Sequence, residues 1–146
     1  EEAVDTVAET AGLEVRGCAT ESLRLHGYDP SAGLEAGLPD TRRMYGTDRA
    51  ELDRIERADR FHAAPMHPAL SITQSEVIFA ARTEMARSVE DVLARRTRSL
   101  LLDAHAASEI ADETARLMGR ELGWTTAECA SSAAEFRELA RGYLPA

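Results

Sequence analysis

The stretch from Ser88 to Ala107, SVEDVLARRTRSLLLDAHAA, decides the fold expected for this 146-residue chain. Val89, Val92 and Leu93 recur at the three-and-four spacing of one helix face, and Leu100 continues that face. Such an apolar stripe is stable when it packs against neighbouring helices. We therefore predict a helix over 88–102 at the centre of an all-helical domain.

Three further helices are predicted around it from capping signals and apolar periodicity. Thr73 with Glu76, and Thr125 with Glu128, have the spacing of capping boxes, and Gly123 is typical of a helix end. The core helices are therefore expected at 73–86, 88–102, 104–122 and 126–143. The side chains predicted on their buried faces include Val77, Ile78, Ala81, Met85, Ile110, Leu117, Met118, Cys129, Phe136 and Tyr143.

The first 70 residues are expected to wrap outside this core. Residues 1–13 read as a short helix with Val4 and Val7 on one face, and the glycines and prolines of 29–46 indicate turns. A helix over 47–60 has only a thin apolar side, so we expect it on the surface. Residues 61–70 read as a proline loop. The fold class is thus all-α, a compact bundle of about four core helices with a loop-rich, partly helical N-terminal segment.

Composition and charge exclude several classes of protein. The chain is 44% hydrophobic and 29% charged, as in an ordinary globular domain. Its formal net charge of -9 disfavours nucleic-acid binding through the overall field. No apolar run approaches the roughly 20 residues of a membrane span, and the N-terminal residues do not resemble a signal peptide. Two unpaired cysteines, Cys18 and Cys129, favour a reduced, cytoplasmic setting.

Three arginines lie inside the central helix and allow two interpretations. In the structural one, Arg95 pairs with Asp91, Arg98 is solvated, and Arg96, at the edge of the apolar stripe, forms an ion pair with Glu84. In the other, the three guanidinium groups form a site for an anion or a partner domain, because their planar forks suit phosphates and carboxylates. Both interpretations stay open at this point.

Recognisable catalytic constellations are absent from the sequence. There is no glycine-rich phosphate loop, no nucleophile elbow and no zinc-ligand spacing. His62 and His67 lie in a proline loop without a third ligand, and His105 beside Asp103 reads as a surface residue. We therefore expect no catalytic, cofactor-binding or metal-binding residue in this chain.

Long ordered motifs carry a resemblance to a known family. The segments are LRLHGY (23–28), SEVIFAARTEMA (75–86), VEDVLARRTR (89–98), LLLDAHAA (100–107) and ARLMGRELGW (115–124). In this order they resemble the C-terminal helical domain of the FAD-dependent, quinone-linked glycerol-3-phosphate dehydrogenases. The resemblance covers nearly the whole chain and is weakest over 29–67.

The resemblance implies a division of labour. In that family FAD and glycerol 3-phosphate are bound by a preceding flavin domain, so this fragment is expected to be non-catalytic and to serve domain packing or subunit assembly. Residues 1–28 would then enter from the flavin domain, 29–70 would form a connector with short helices, and 71–146 would form the core domain. Arg95 and Arg98 become candidate contacts with the flavin domain.

Other properties of the parent enzyme stay open in the sequence. We expect it in the cytoplasm, with association at the inner face of the membrane as a route to quinone, and its electron acceptor and homo-oligomeric state are undecided. Two other classes compete with the accessory domain. One is a free-standing helical interaction module, and the other is a nucleic-acid binder using Arg95, Arg96 and Arg98, which the net charge disfavours.

Overall fold

The computed structural model describes residues 2–14, 17–28 and 41–144. Nearly all regular structure in these ranges is helical, which confirms the all-helical fold class. The α-helices are α1 (Glu2–Thr10), α2 (Arg49–Ala58), α3 (Gln74–Thr83), α4 (Ser99–Leu102), α5 (Ala104–Glu109), α6 (Ala111–Leu122) and α7 (Thr126–Arg141). Between them lie 3-10 turns at Thr41–Asp48 and Arg60–Ala63, a π-helical turn at Asp91–Arg96, and strands β1 (Pro65–His67) and β2 (Leu70–Thr73).

The core lies between α3, α6, α7 and the central stretch. Leu117, Val92 and Phe136 are buried, as the apolar periodicity predicted. Cys129 is partly buried and packs against this cluster. Tyr143 was expected to be buried but is 51% exposed, because α7 ends at Arg141 and Tyr143 lies in the turn that follows.

The central stretch is not the single α-helix that its periodicity predicted. The turn at Asp91–Arg96 is π-helical, and the N–H of Thr97 donates to the carbonyl oxygen of Val92 at 3.0 Å, five residues back. The Thr97 hydroxyl donates to the same oxygen at 2.9 Å. Arg98 then adopts a left-handed conformation (φ 57°) before α4 begins. The stripe of Val89, Val92, Leu93 and Leu100 is nevertheless buried throughout, so periodicity identified the buried face and missed the break.

The two helices of the first 60 residues lie at the surface and differ in burial. Helix α2 has the predicted thin apolar side, since Leu52 and Ile55 are 0% and 4% exposed and belong to the core, while its other residues are exposed or partly exposed. A narrow stripe of two large aliphatic side chains was enough to anchor it. Helix α1 buries none of its residues, and Val4 and Val7 are 70% and 65% exposed. The division of the chain at residues 28 and 70 stays a prediction.

Met85 was predicted to face the core at the end of a helix over 73–86. Helix α3 ends two residues earlier, at Thr83, and Met85 has a positive φ of 56°. The left-handed conformation turns the chain away from the helix axis. Met85 is therefore 76% exposed.

A short hairpin occupies part of the predicted proline loop. Strands β1 and β2 are antiparallel, with His67 paired to Leu70. Leu70 and Ile72 are 5% and 3% exposed, so β2 adds two side chains to the core. The strand leads directly into Thr73, whose hydroxyl caps α3 in the predicted capping box with Glu76.

Candidate functional site

Arg95 is neutralised by two carboxylates of its own segment. Its Nη1 lies 2.5 Å from Asp91 Oδ1, and its Nη2 lies 2.6 Å from Glu90 Oε1. Burial alone would raise the pKa of Asp91, but hydrogen bonds from the Arg87 backbone and Ser88, and the contact with Arg95, outweigh it and hold that pKa below its ordinary value. Arg95 is therefore paired with Asp91, as the structural interpretation of the three arginines expects.

Ser88 and Asp91 have the spacing of a capping box, but only half of that box is formed. The Ser88 hydroxyl accepts a hydrogen bond from the Asp91 N–H at 3.1 Å. The Asp91 carboxylate, however, accepts from the N–H of Arg87 at 2.9 Å, where a reciprocal box would use the N–H of Ser88. Asp91 thus ties the chain before the π-helical turn to the turn itself.

Arg96 closes the C-terminal end of α3. Its Nη2 donates to the backbone carbonyl oxygen of Glu84 at 2.7 Å, and its Nε lies 3.8 Å from Glu84 Oε2. Burial raises the pKa of Glu84, and the positive charge of Arg96 partly opposes that rise. Both side chains are 32% exposed, so the guanidinium acts as a partly solvated brace between two segments.

Arg98 differs from the other two arginines. It is exposed, and its guanidinium has no hydrogen-bond or ion-pair partner among the residues that the structure describes. It stands at the rim of a groove of about 360 Å³. The groove is lined by Met44, Ser71, Ile72, Glu76, Thr97, Arg98 and Leu102, and is called the Arg98 groove below.

The floor of the Arg98 groove contains a buried carboxylate that sequence reasoning assigned only to capping. Glu76 is 5% exposed, and its Oε2 accepts from the N–H and hydroxyl of Thr73 at 2.7 and 3.0 Å. Its Oε1 accepts from the Tyr45 hydroxyl at 3.1 Å. Burial, followed by the charge of Glu76, raises the pKa of Tyr45. Because both oxygens are engaged, this carboxylate is not a free general base.

Tyr45 was missed as a partner of that carboxylate. Its ring meets the edge of Phe79 with centroids 5.3 Å apart, which fixes the hydroxyl over Glu76. The only signal in the sequence was an aromatic residue in a segment otherwise rich in turn formers. Such a residue is expected to bury its ring, but its partner lies 31 positions away.

The histidines do not form a metal centre in the described ranges. Glu109 accepts from two of them, with His67 Nε2 at 3.0 Å from Oε2 and His105 Nδ1 at 3.2 Å from Oε1. Asp103, beside His105 in sequence, instead caps α5 by accepting from the N–H of Ala106 at 2.9 Å. No group of three or more His, Cys, Asp or Glu side chains suited to a metal ion occurs among residues 2–14, 17–28 and 41–144.

A second groove lies where α6 meets the start of α7. It has a volume of about 500 Å³, and Arg116, Arg120, Trp124 and Cys129 contribute to its walls. Gly123 (φ 72°) ends α6 in the predicted Schellman arrangement, since the N–H of Trp124 donates to the carbonyl oxygen of Gly119 at 3.0 Å. Arg116 is held by Glu113, one turn earlier on α6. The groove therefore has aromatic and cationic walls together with the carboxylate of Asp112, which forms an ion pair with Arg137.

Helix α3 is tied to α6 by an ion pair across the bundle. Arg82 Nε and Nη2 donate to the two carboxylate oxygens of Glu121 at 2.6 and 3.0 Å. The bidentate geometry is that of a structural ion pair, which joins the two helices side by side. No helix in the described part of the chain is both long and apolar enough to span a bilayer.

Comparison with known proteins decides the family. Residues 18–129 match the sequence model of the C-terminal domain of alpha-glycerophosphate oxidase. The chain belongs to this family. The chain is 34% identical over 151 aligned residues to a probable mitochondrial glycerol-3-phosphate dehydrogenase of Caenorhabditis elegans. That alignment covers 88% of this chain and 20% of the Caenorhabditis elegans protein.

Bacterial relatives of this chain also include glycerol-3-phosphate dehydrogenases. Glycerol-3-phosphate dehydrogenase 2 of Mycobacterium bovis is 27% identical over 141 residues, covering 87% of this chain and 24% of that protein. The chain thus spans about a fifth to a quarter of the length of the curated relatives it matches. No solved structure matches it significantly. The resemblance to glycerol-3-phosphate dehydrogenases noted in the sequence is confirmed.

Proposed function

We propose that this chain is the C-terminal accessory domain of an FAD-dependent enzyme that oxidises glycerol 3-phosphate to dihydroxyacetone phosphate, and that the domain itself carries out no chemistry. The observation that supports this most directly is the family match over residues 18–129. The short share of each relative that the chain covers supports the view that substrate oxidation takes place elsewhere in the polypeptide.

The described residues do not fit FAD. A flavin dinucleotide needs backbone N–H groups of a glycine-rich turn around its pyrophosphate, at the start of a helix that follows a strand. Within the described ranges, the only strand that leads into a helix is β2, and its last residue, Thr73, is itself the N-cap of α3, so no glycine-rich turn lies between strand and helix. FAD in the parent enzyme would therefore be held by the preceding flavin domain.

The accessory role is packing or assembly. Residues 1–28 would enter from the flavin domain, consistent with a helix α1 that buries nothing in this structure. Of the two arginines proposed to contact that domain, Arg95 is already neutralised by Asp91 and Glu90, whereas Arg98 is available. We place the parent enzyme in the cytoplasm, with access to quinone at the inner face of the membrane.

Flavin content and activity test this proposal. The purified 146-residue chain should be colourless, and it should not reduce an artificial electron acceptor when glycerol 3-phosphate is added. The full-length enzyme should be yellow and active, and deletion of residues 41–146, which share one core, should lower its melting temperature or its subunit association. Flavin that copurifies with the chain alone, or a deleted enzyme with unchanged stability and association, would contradict the proposal.

A further inference from the structure

We propose that the Arg98 groove is the surface on which the preceding flavin domain of the same polypeptide docks, and that it receives an apolar side chain together with a carboxylate from that domain. This inference rests on the proposed function and adds the surface and the chemistry of the contact.

Large apolar side chains are exposed together at this groove. Met44 and Leu102 line it and are 61% and 70% exposed, and Leu101, next to Leu102, is 64% exposed. Helix α4 is only four residues long, and Leu100 is the one leucine of the three that it buries. Single exposed leucines are ordinary, but neighbouring ones beside a concave surface mark an interaction site. The groove thus has the apolar centre that a domain interface requires.

Arg98 provides a fixed cation at the edge of this apolar surface. Its left-handed backbone is unfavourable for a residue with a Cβ, and such conformations persist where the surrounding structure enforces them. The residues before and after Arg98 are both held in place. Thr97 is bonded through its hydroxyl to Val92 and Ser99, and Ser99 and Leu100 are 2% and 3% exposed. The base of the Arg98 side chain is therefore positioned before any partner arrives.

The positive charge of Arg98 indicates which chemical group the docking domain contributes. No ion pair joins Arg98 to Glu76 in the floor, whose two carboxylate oxygens accept hydrogen bonds from Thr73 and Tyr45 instead. The guanidinium would need an acceptor on docking, since a buried unpaired cation is strongly unfavourable. A carboxylate meets this need with two parallel hydrogen bonds.

The occupant is the preceding domain in preference to a second copy of this chain. The chain covers only 20% to 24% of its relatives, so most of the parent polypeptide lies outside it and must pack somewhere. A twofold contact centred on the groove would instead bring two Arg98 guanidinium groups together, and like-charge repulsion disfavours that arrangement. A second copy is therefore an outcome for the experiment to detect.

Photo-cross-linking in the full-length enzyme tests the occupant directly. The photoreactive residue p-benzoylphenylalanine is placed at position 102 and, as the control, at position 120. Arg120 is also exposed and lines the second groove, on another helix. We expect position 102 to cross-link to a peptide of the preceding domain within the same chain, and position 120 to give no such product. Cross-links between two copies, cross-links from position 120 alone, or no cross-link at position 102 would overturn the proposal.

Charge reversal tests the ion pair. In the full-length enzyme, Arg98→Glu should increase the rate of proteolytic cleavage between the domains by about tenfold or more, since loss of a charge pair at an interface mostly accelerates dissociation. The matched change Arg120→Glu should leave that rate within about twofold. Equal rates for both variants would overturn the ion pair.

These results separate the docking surface from the accessory function. If deletion of the domain destabilises the enzyme while position 102 gives no cross-link to the preceding domain, the docking surface is wrong and the accessory function stands. If the enzyme is unchanged by the deletion, the proposed function itself is wrong.

Discussion

Replacement of Gly119 by alanine tests the packing of α6 on α7. Gly119 is buried in the last turn of α6, and a Cβ built on it would lie 2.5 Å from Cys129 Sγ and 3.5 Å from Trp124 Cβ. The first distance is far below van der Waals contact. The thiol of Cys129, on α7, must therefore move if a methyl group is added to Gly119.

Two opposing terms set the size of the effect. Alanine is favoured over glycine inside a helix by about 0.8 to 1.0 kcal/mol. Forcing an extra methyl group into a packed core typically costs about 1 to 3 kcal/mol. In the wild-type background Gly119→Ala should therefore lower the free energy of unfolding by about 0 to 2 kcal/mol. Once Cys129→Ala has removed the sulfur, the same change should raise it by up to about 1 kcal/mol.

Urea denaturation of the wild type, both single variants and the double variant measures this change of sign. The two substitutions should show a coupling free energy of about 1 to 3 kcal/mol. Cys18→Ala is the matched control, because Cys18 is exposed and should leave the effect of Gly119→Ala unchanged. A coupling below about 0.5 kcal/mol would refute the contact between Gly119 and Cys129.

Three further changes test the core and the segment between α3 and α4. Met85→Gly should stabilise the protein by about 1 kcal/mol, because Met85 is exposed at φ 56°, whereas Met85→Ala should give no gain in thermal unfolding. Asp91→Asn should lower the free energy of unfolding by about 1 to 2 kcal/mol at neutral pH, since the lowered pKa of Asp91 shows that the folded state favours its ionised form. The stabilisation by ionised Asp91 is lost as pH falls through the folded pKa of Asp91. The difference in unfolding free energy between the wild type and Asp91→Asn, measured by urea denaturation, should therefore shrink below about pH 4. A difference that stays constant with pH would contradict this prediction. Leu117→Ala should lower the free energy of unfolding by about 2 to 5 kcal/mol, because Leu117 is 1% exposed. The exposed control Leu102→Ala should lower it less, and equal losses in the two variants would show that the core is wrongly assigned.

Helix existence and burial were predictable where local signals and periodicity agreed. The capping residues Thr73 and Thr125 and the terminator Gly123 act within a few residues of sequence, so they could be identified directly. The buried stripe of the central stretch was also identified correctly. Periodicity reports which side chains face the core, and it does so even when the backbone between them departs from α-helical geometry.

Features that depend on distant contacts were not predictable. Tyr45 reaches Glu76 across 31 positions, and the burial of α2 depends on the shape of the surface that Leu52 and Ile55 meet. The left-handed residues Met85 and Arg98 gave no signal either, because neither is a glycine or asparagine. At the candidate site, the structural interpretation of the sequence already named Arg98 as the solvated arginine, but nothing in the sequence indicated the groove beside it.

The π-helical turn at Asp91–Arg96 also bears on how this segment tolerates changes in chain length. A π turn holds one residue more than the α-helical turn it replaces. A one-residue deletion there would let the turn revert to α-helix, and the chain that follows would keep its direction about the helix axis, because the π turn and the α turn each complete one revolution. Leu100 would then keep its buried position. The extra residue is therefore absorbed within a single turn, and a one-residue gap between residues 91 and 96 in an alignment would leave the side chains on both sides facing the same way.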